Sequence, residues 1–262
     1  MPDVLKKKKE ADVLCVDGVN KKFVYQRHLW NFFQKKFEHQ VLSECTLHVK
    51  SGEIFGLVGL NGIGKTTLIK IILDILGADS GVVKLFGIDS KNPAARKHVC
   101  YLPEKFLPSQ YLTGYEFLSL SQSFFGKKLD KSQANKIAKQ LDLDCSALTR
   151  LVKSYSKGMG QKLGLVSCLL SNARLLILDE PASGLDPKAR FILKQALKDY
   201  VKNGKSIFLS SHLLDDIETM CDSMAVLSDG KMMFVGSPVE FREKFAADTT
   251  EKSFLRCIQF LK

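Results

Sequence analysis

Apolar runs rich in β-branched and aromatic residues recur along the chain at Glu53–Val58, His98–Leu102, Leu175–Leu178, Ser206–Ser211 and Met224–Leu227, each bounded by Gly, Pro, Asp or Ser. Their shortness and their boundaries predict strands. Between them, Thr66–Leu76 and Asp186–Lys202 carry the helical period. Strands alternating with helices predict a mainly parallel sheet with helices on its faces, an α/β core. Asp229-Gly230, set between Met224–Leu227 and Met232–Val235, is a two-residue hairpin signal. Two regions depart from this rhythm. From Leu14 to Val49, two short strand-like segments flank Tyr25–Phe37, which predicts a small antiparallel β-layer with an enlarged connection. From about Phe106 to Leu170 there is no strand signal, and Met159, Leu163, Val166 and Leu170 share one helical face, which predicts a helical subdomain. No internal repeat or low-complexity linker interrupts the chain.

Composition narrows the class. The 262 residues, 45% of them hydrophobic, suffice for one large domain or two modest ones and argue against disorder. No stretch approaches the roughly 18 apolar residues of a membrane span. Lys6-Lys7-Lys8-Lys9 is not followed by a signal-type apolar core, so the expectation is a soluble, unexported chain. Seven scattered cysteines without a C-x-x-C pair favour a reducing cytosol and weigh against a zinc site. The formal charge of +11 attracts nucleic acid, nucleotides or an anionic inner leaflet without choosing among them. A lysine-rich solvated surface accounts for it equally well.

The chemistry is concentrated in two segments. Gly59-Leu60-Asn61-Gly62-Ile63-Gly64-Lys65-Thr66-Thr67 follows the strand Glu53–Val58, opens the helix Thr66–Leu76 and matches G-x-x-x-x-G-K-[ST]. Glycines let backbone N–H groups turn inward around phosphates, and the helix start adds its dipole. Lys65 then reaches the terminal phosphates and Thr66 can ligate magnesium. The second segment is Leu175-Leu176-Ile177-Leu178-Asp179-Glu180, a buried-type strand that ends in two acids. Asp179 projects toward the magnesium, and Glu180 can hold a water in line with the terminal phosphate as general base. ATP and Mg2+ are the expected cofactors.

With these residues in hand, the chain resembles the ATP-binding subunit of ATP-binding cassette (ABC) transporters over most of its length. Tyr101-Leu102-Pro103-Glu104 stands in the position of the family's Q-loop. Tyr155-Ser156-Lys157-Gly158-Met159-Gly160-Gln161-Lys162 resembles the signature LSGGQxQR, Ser183-Gly184-Leu185-Asp186 the D-loop, and His212 the switch histidine. The resemblance implies a P-loop NTPase (RecA-like) core with an N-terminal antiparallel β-layer and a helical subdomain. It divides one domain, 1–262, into core segments of about 10–103 and 171–240, a helical subdomain of about 104–170 and a tail of 241–262. It also implies two ATPase subunits closing head to tail, so that Ser156 and Gly158 of one bind the terminal phosphate held by the other. His212 would touch the same phosphate, and Asp186 would communicate across the pair.

Some positions depart from the family pattern. Glu104 stands where most members have glutamine; a carboxylate there can ligate magnesium or orient water, and Gln110 is a nearby alternative. Lys157 and Met159 replace a glycine and a glutamine of the signature. The family's adenine-stacking aromatic corresponds to Phe23, with Tyr25 as competitor. Trp30, Phe32, Phe33 and Phe37, among Arg27, His28, Lys35 and Lys36, permit an amphipathic basic helix for lipid headgroups or a membrane subunit; packing on the β-layer is the alternative. Leu112-Thr113-Gly114 and the Ser-Lys-Gly-Met signature are similar to a bacterial exporter subgroup whose membrane subunits are separate polypeptides. The expected partners are such an integral membrane subunit and a second copy or a paralogous ATPase, at the inner face of the cell membrane, with no specific nucleic acid. A soluble ABC-type ATPase acting on nucleic acid or a protein assembly is the rival reading.

Overall fold

Apolar runs too short for helices satisfy their backbone by lying side by side, and five of them form parallel pairs. In the computed structural model, which describes residues 12–27 and 35–259, these are β3 (Ile54–Val58), β6 (Val99–Leu102), β7 (Leu175–Asp179), β8 (Ser206–Ser211) and β9 (Ser223–Ser228). With the antiparallel β10 (Lys231–Gly236) they make a six-stranded sheet in the order β10-β9-β3-β8-β7-β6. Asp229 and Gly230 both take positive φ, 44° and 74°, as a tight hairpin between β9 and β10 requires.

Every residue of β3, β7 and β8 is buried, which is why these segments read as continuous apolar runs. Alternate side chains serve two cores. Phe55, Ile177 and Phe208 face the antiparallel layer and α1 (Lys65–Ile72), with the Phe55 and Phe208 rings stacked 5.8 Å apart. Ile54, Leu178 and Leu209 face a second core with α4 (Lys157–Ser171), α5 (Pro187–Lys202) and α6 (Leu214–Met220). Between β6 and β7 run α2 (Gly114–Ser123), α3 (Lys131–Gln140) and α4, with short 3-10 turns and no strand. Leu163, Val166 and Leu170 of α4 are buried on the expected face, and Met159 packs at its edge.

The antiparallel layer is larger than expected. β1 (Asp12–Arg27) and β2 (Lys35–Lys50) are 16 residues each, joined by β4 (Ser80–Leu85) and β5 (Ile88–Asp89) in the order β2-β1-β4-β5. Tyr25, Gln26 and Arg27 pair with Phe37, Lys36 and Lys35, so both ends of the basic-aromatic segment are strand and not helix. Cross-strand pairing gives those amides partners, and the Phe23-Val24-Tyr25 sequence favours extended backbone. His28, Trp30, Phe32 and Phe33 lie outside the described residues. The stretch expected to be a tail instead folds as α7 (Pro238–Lys244) and α8 (Thr250–Gln259), which buries Phe241, Phe254 and Cys257.

Candidate functional site

The site is built where β3 hands over to α1. Gly64 precedes the helix at φ 115°, a left-handed backbone, and a Cβ there would sit 3.1 Å from the Val41 carbonyl oxygen. Gly59 is as restricted, because a Cβ would come within 2.6 Å of the Leu227 oxygen. The loop between them follows the carboxyl end of β3, an interior strand, and leaves Lys65 as the first helical residue, 6% exposed. Lys65 Nζ donates to the Gly59 oxygen at 2.7 Å and lies 3.1 Å from Glu180 Oε1. The Thr66 hydroxyl donates to Asp179 Oδ2 at 2.7 Å, so the helix start and the end of β7 meet through the two residues expected at a metal.

Glu180 leaves β7 at φ 51° and is buried. His212, just past β8, donates from Nδ1 to Glu180 Oε2 at 2.7 Å. One carboxylate is thus held by a lysine on one oxygen and a histidine on the other. A cavity of about 310 Å³ opens beside it, lined by Leu60, Asn61, Gly62, Gly64, Lys65, Thr66, Thr67, Glu104 and Glu180. Glu104 reaches this cavity from the segment after β6 and Gln110 does not. Tyr101, on β6, has its hydroxyl pushed up to about 12, first by burial and then by the charges of Asp179 and Glu104. It stays a neutral phenol beside an acidic cluster.

Other expected site residues lie elsewhere. Ser156 is the N-cap of α4 and accepts the Met159 N–H at 3.2 Å; Gly158 follows it in the first turn. Asp186 caps α5 through the Ala189 N–H at 2.8 Å. A Cβ on Gly158 would stand 3.9 Å from the Gly184 oxygen, so signature and D-loop segments of one chain are neighbours. Phe23, half-buried on β1, has Lys21 Nζ 5.6 Å from its ring centre. None of these four lines the cavity. Ile63 sits inside the loop, packed against the core shared with α1.

Residues 42–183, more than half the chain, match the family described as ABC transporter. The chain belongs to that family. It is 39% identical over 201 residues to an ABC transporter ATP-binding protein of Nostoc, covering 75% of this chain and 59% of that protein. It is 32% identical over 210 residues to the Nod factor export ATP-binding protein I of Burkholderia thailandensis, covering 78% and 69%. A solved ATP-binding subunit of an ABC transporter superposes with a TM-score of 0.79 at 27% identity, over 94% of this chain and 99% of that one. The chain thus spans about three-fifths of the Nostoc relative's length. This chain, by family a nucleotide-binding protein, has among its described residues no helix long and apolar enough to cross a membrane.

Two further residues beside the site had no role assigned from the sequence. Gln161, buried on α4, donates to the Pro181 oxygen at 3.2 Å and ties the signature helix to the turn after Glu180. Asp216, in the first turn of α6 four positions after His212, has Oδ2 buried and without a hydrogen-bond partner; burial raises its carboxyl above the usual range.

Proposed function

We propose that this chain is the ATP-hydrolysing subunit of an ABC exporter, paired head to tail with a second copy or a paralogous ATPase and driving a separately encoded membrane subunit. The observation that carries the reading is the convergence of Lys65, Thr66 and Glu180 on one loop-lined cavity, with Asp179 behind them hydrogen-bonded to Thr66. Backbone N–H groups of Gly59 through Thr67 cradle the phosphates, and Lys65 turns from Glu180 to the terminal phosphate. Glu180 accepts the proton of the attacking water, and His212 holds its carboxylate in place while contacting the same phosphate. Ser156, Gly158 and Asp186 act across the pair, and Phe23 stacks on the adenine. The Thr66 hydroxyl and the Asp179 and Glu104 carboxylates are hard oxygen donors that suit magnesium. When bound, it neutralises phosphate charge. The export direction is supported by similarity to the Burkholderia export protein and by the Ser-Lys-Gly-Met signature.

In this reading the whole chain works as one ATPase domain at the inner face of the cell membrane. Replacing Glu180 with Gln should lower ATP turnover by about 10²–10⁴. Undiminished hydrolysis removes Glu180 from the base role. The +11 charge favours a second reading, an ABC ATPase acting on nucleic acid. Affinity capture of Glu180→Gln from solubilised membranes with ATP and magnesium separates the two: a polytopic membrane protein supports transport, whereas nucleic acid with a steep salt slope supports the rival.

A further inference from the structure

β8 is buried from end to end, so a polar side chain in it needs a partner inside the protein. Ser210 is 0% exposed and stands directly opposite Asp179 in the β7–β8 register. By the two-residue period of a strand it shares the face of Phe208, and Asp179 that of Ile177, both in the core that includes α1. The Ser210 hydroxyl donates to Asp179 Oδ1 at 2.5 Å. The Ser210 hydroxyl oxygen itself accepts the Glu180 N–H at 3.0 Å. One hydroxyl therefore spans both acids. Asp179 keeps its other oxygen for Thr66, and the amide that Ser210 receives belongs to a residue in left-handed backbone. Ser211 points the other way and accepts the Leu213 N–H at 3.0 Å, at the entry to α6.

The geometry points to Ser210 as the positioning residue for the hydrolytic site. It turns Asp179 so that Oδ2 meets Thr66, and it pins the turn that delivers the Glu180 carboxylate to Lys65 and His212. Alanine in its place leaves a buried carboxylate oxygen and a buried N–H without partners. Threonine keeps the hydroxyl and suits a strand. Ser211→Ala alters only the entry to α6.

This inference rests on the proposed ATPase reading, and calorimetric titration with a non-hydrolysable ATP analogue, with and without magnesium, separates the two. In Ser210→Ala the gain in affinity from magnesium should shrink about tenfold, the scale of losses when a metal ligand's hydrogen-bond partner is removed. Affinity without metal should stay as in the wild type, Ser210→Thr should restore the gain, and Ser211→Ala should keep it. An unchanged gain in folded Ser210→Ala, or no restoration by threonine, overturns the proposal. If the alanine variant does not fold, Ser210→Cys, which keeps the volume and weakens the donor, is read in the same way. Failure of the wild type to bind the analogue at all removes the ATPase reading instead.

Discussion

Lys65 and Glu180 stand 3.1 Å apart with side chains 6% and 8% exposed, so the ion pair offsets part of each group's lost hydration, beside the Gly59 oxygen on Lys65 and His212 on Glu180. Removing one member of such a pair leaves an uncompensated buried charge, at a cost of about 3–5 kcal/mol. Lys65→Met should therefore lower the thermal midpoint more than the double variant Lys65→Met/Glu180→Gln does, a coupling that differential scanning calorimetry reads directly. In the proposed function, phosphate oxygens compete with Glu180 for the same ammonium, which couples nucleotide arrival to release of the base. A second residue-scale effect is on the β-layer, where Asp79 accepts Lys21 Nζ at 2.9 Å and the Lys22 N–H. The Lys21 hydrogen bond, with these neighbours, holds the Asp79 carboxyl below the usual range. A depressed carboxylate stabilises the fold above its unfolded pKa, near 4, and loses that contribution as pH falls through its folded value. Asp79→Asn should thus unfold earlier in urea than the wild type at pH 7, with the gap closing at acid pH.

Among the elements, α1 and α2 differ in what starts them. The start of α1 depends on left-handed Gly64, with Val41 pressing on the missing Cβ, so Gly64→Ala should abolish nucleotide binding in a fluorescent-nucleotide titration while the protein stays folded. α2 starts with a capping box, Thr113 and Glu116 exchanging side-chain and backbone hydrogen bonds. Thr113→Ala should cost about 1 kcal/mol in urea unfolding and leave nucleotide affinity unchanged. Elements also differ in legibility. β7 and β8 were readable because burial on both faces demands unbroken apolar runs. β4 was not: Ser80-Gly81-Val82-Val83-Lys84-Leu85 exposes most of its side chains, and its strand character comes from pairing with β1. The ends of the basic-aromatic segment were undecided in the sequence for the same reason, since only the β2 partner decides between strand and helix there.

At the scale of the whole molecule, the cavity gathers the phosphate loop, Glu104 and Glu180, whereas Ser156, Gly158 and Asp186 lie outside it. A site with its signature residues elsewhere on the same chain is completed by a second chain in the proposed head-to-tail pair. Glu180→Gln with ATP and magnesium should then double its mass in light scattering. Adding Gly158→Asp, which sets a carboxylate where an anion is to bind, should prevent the doubling while leaving the single chain's ATP affinity within about twofold of the parent. Unchanged doubling would take Gly158 out of the contact between subunits.

The phosphate loop, the two acids at the end of β7 and just after it, and the alternation of strand and helix were all determined by local sequence. Glycines, Lys65, Thr66, Asp179 and Glu180 declare themselves by spacing, because loop conformation and strand burial act over a few residues. Long-range pairing was decided only by the tertiary structure. Glu180 meets His212 32 positions away, and Ser210 meets Asp179 31 positions away. Those contacts depend on β7 and β8 lying in register, and a serine in an apolar run carries no local mark of the acid it will face.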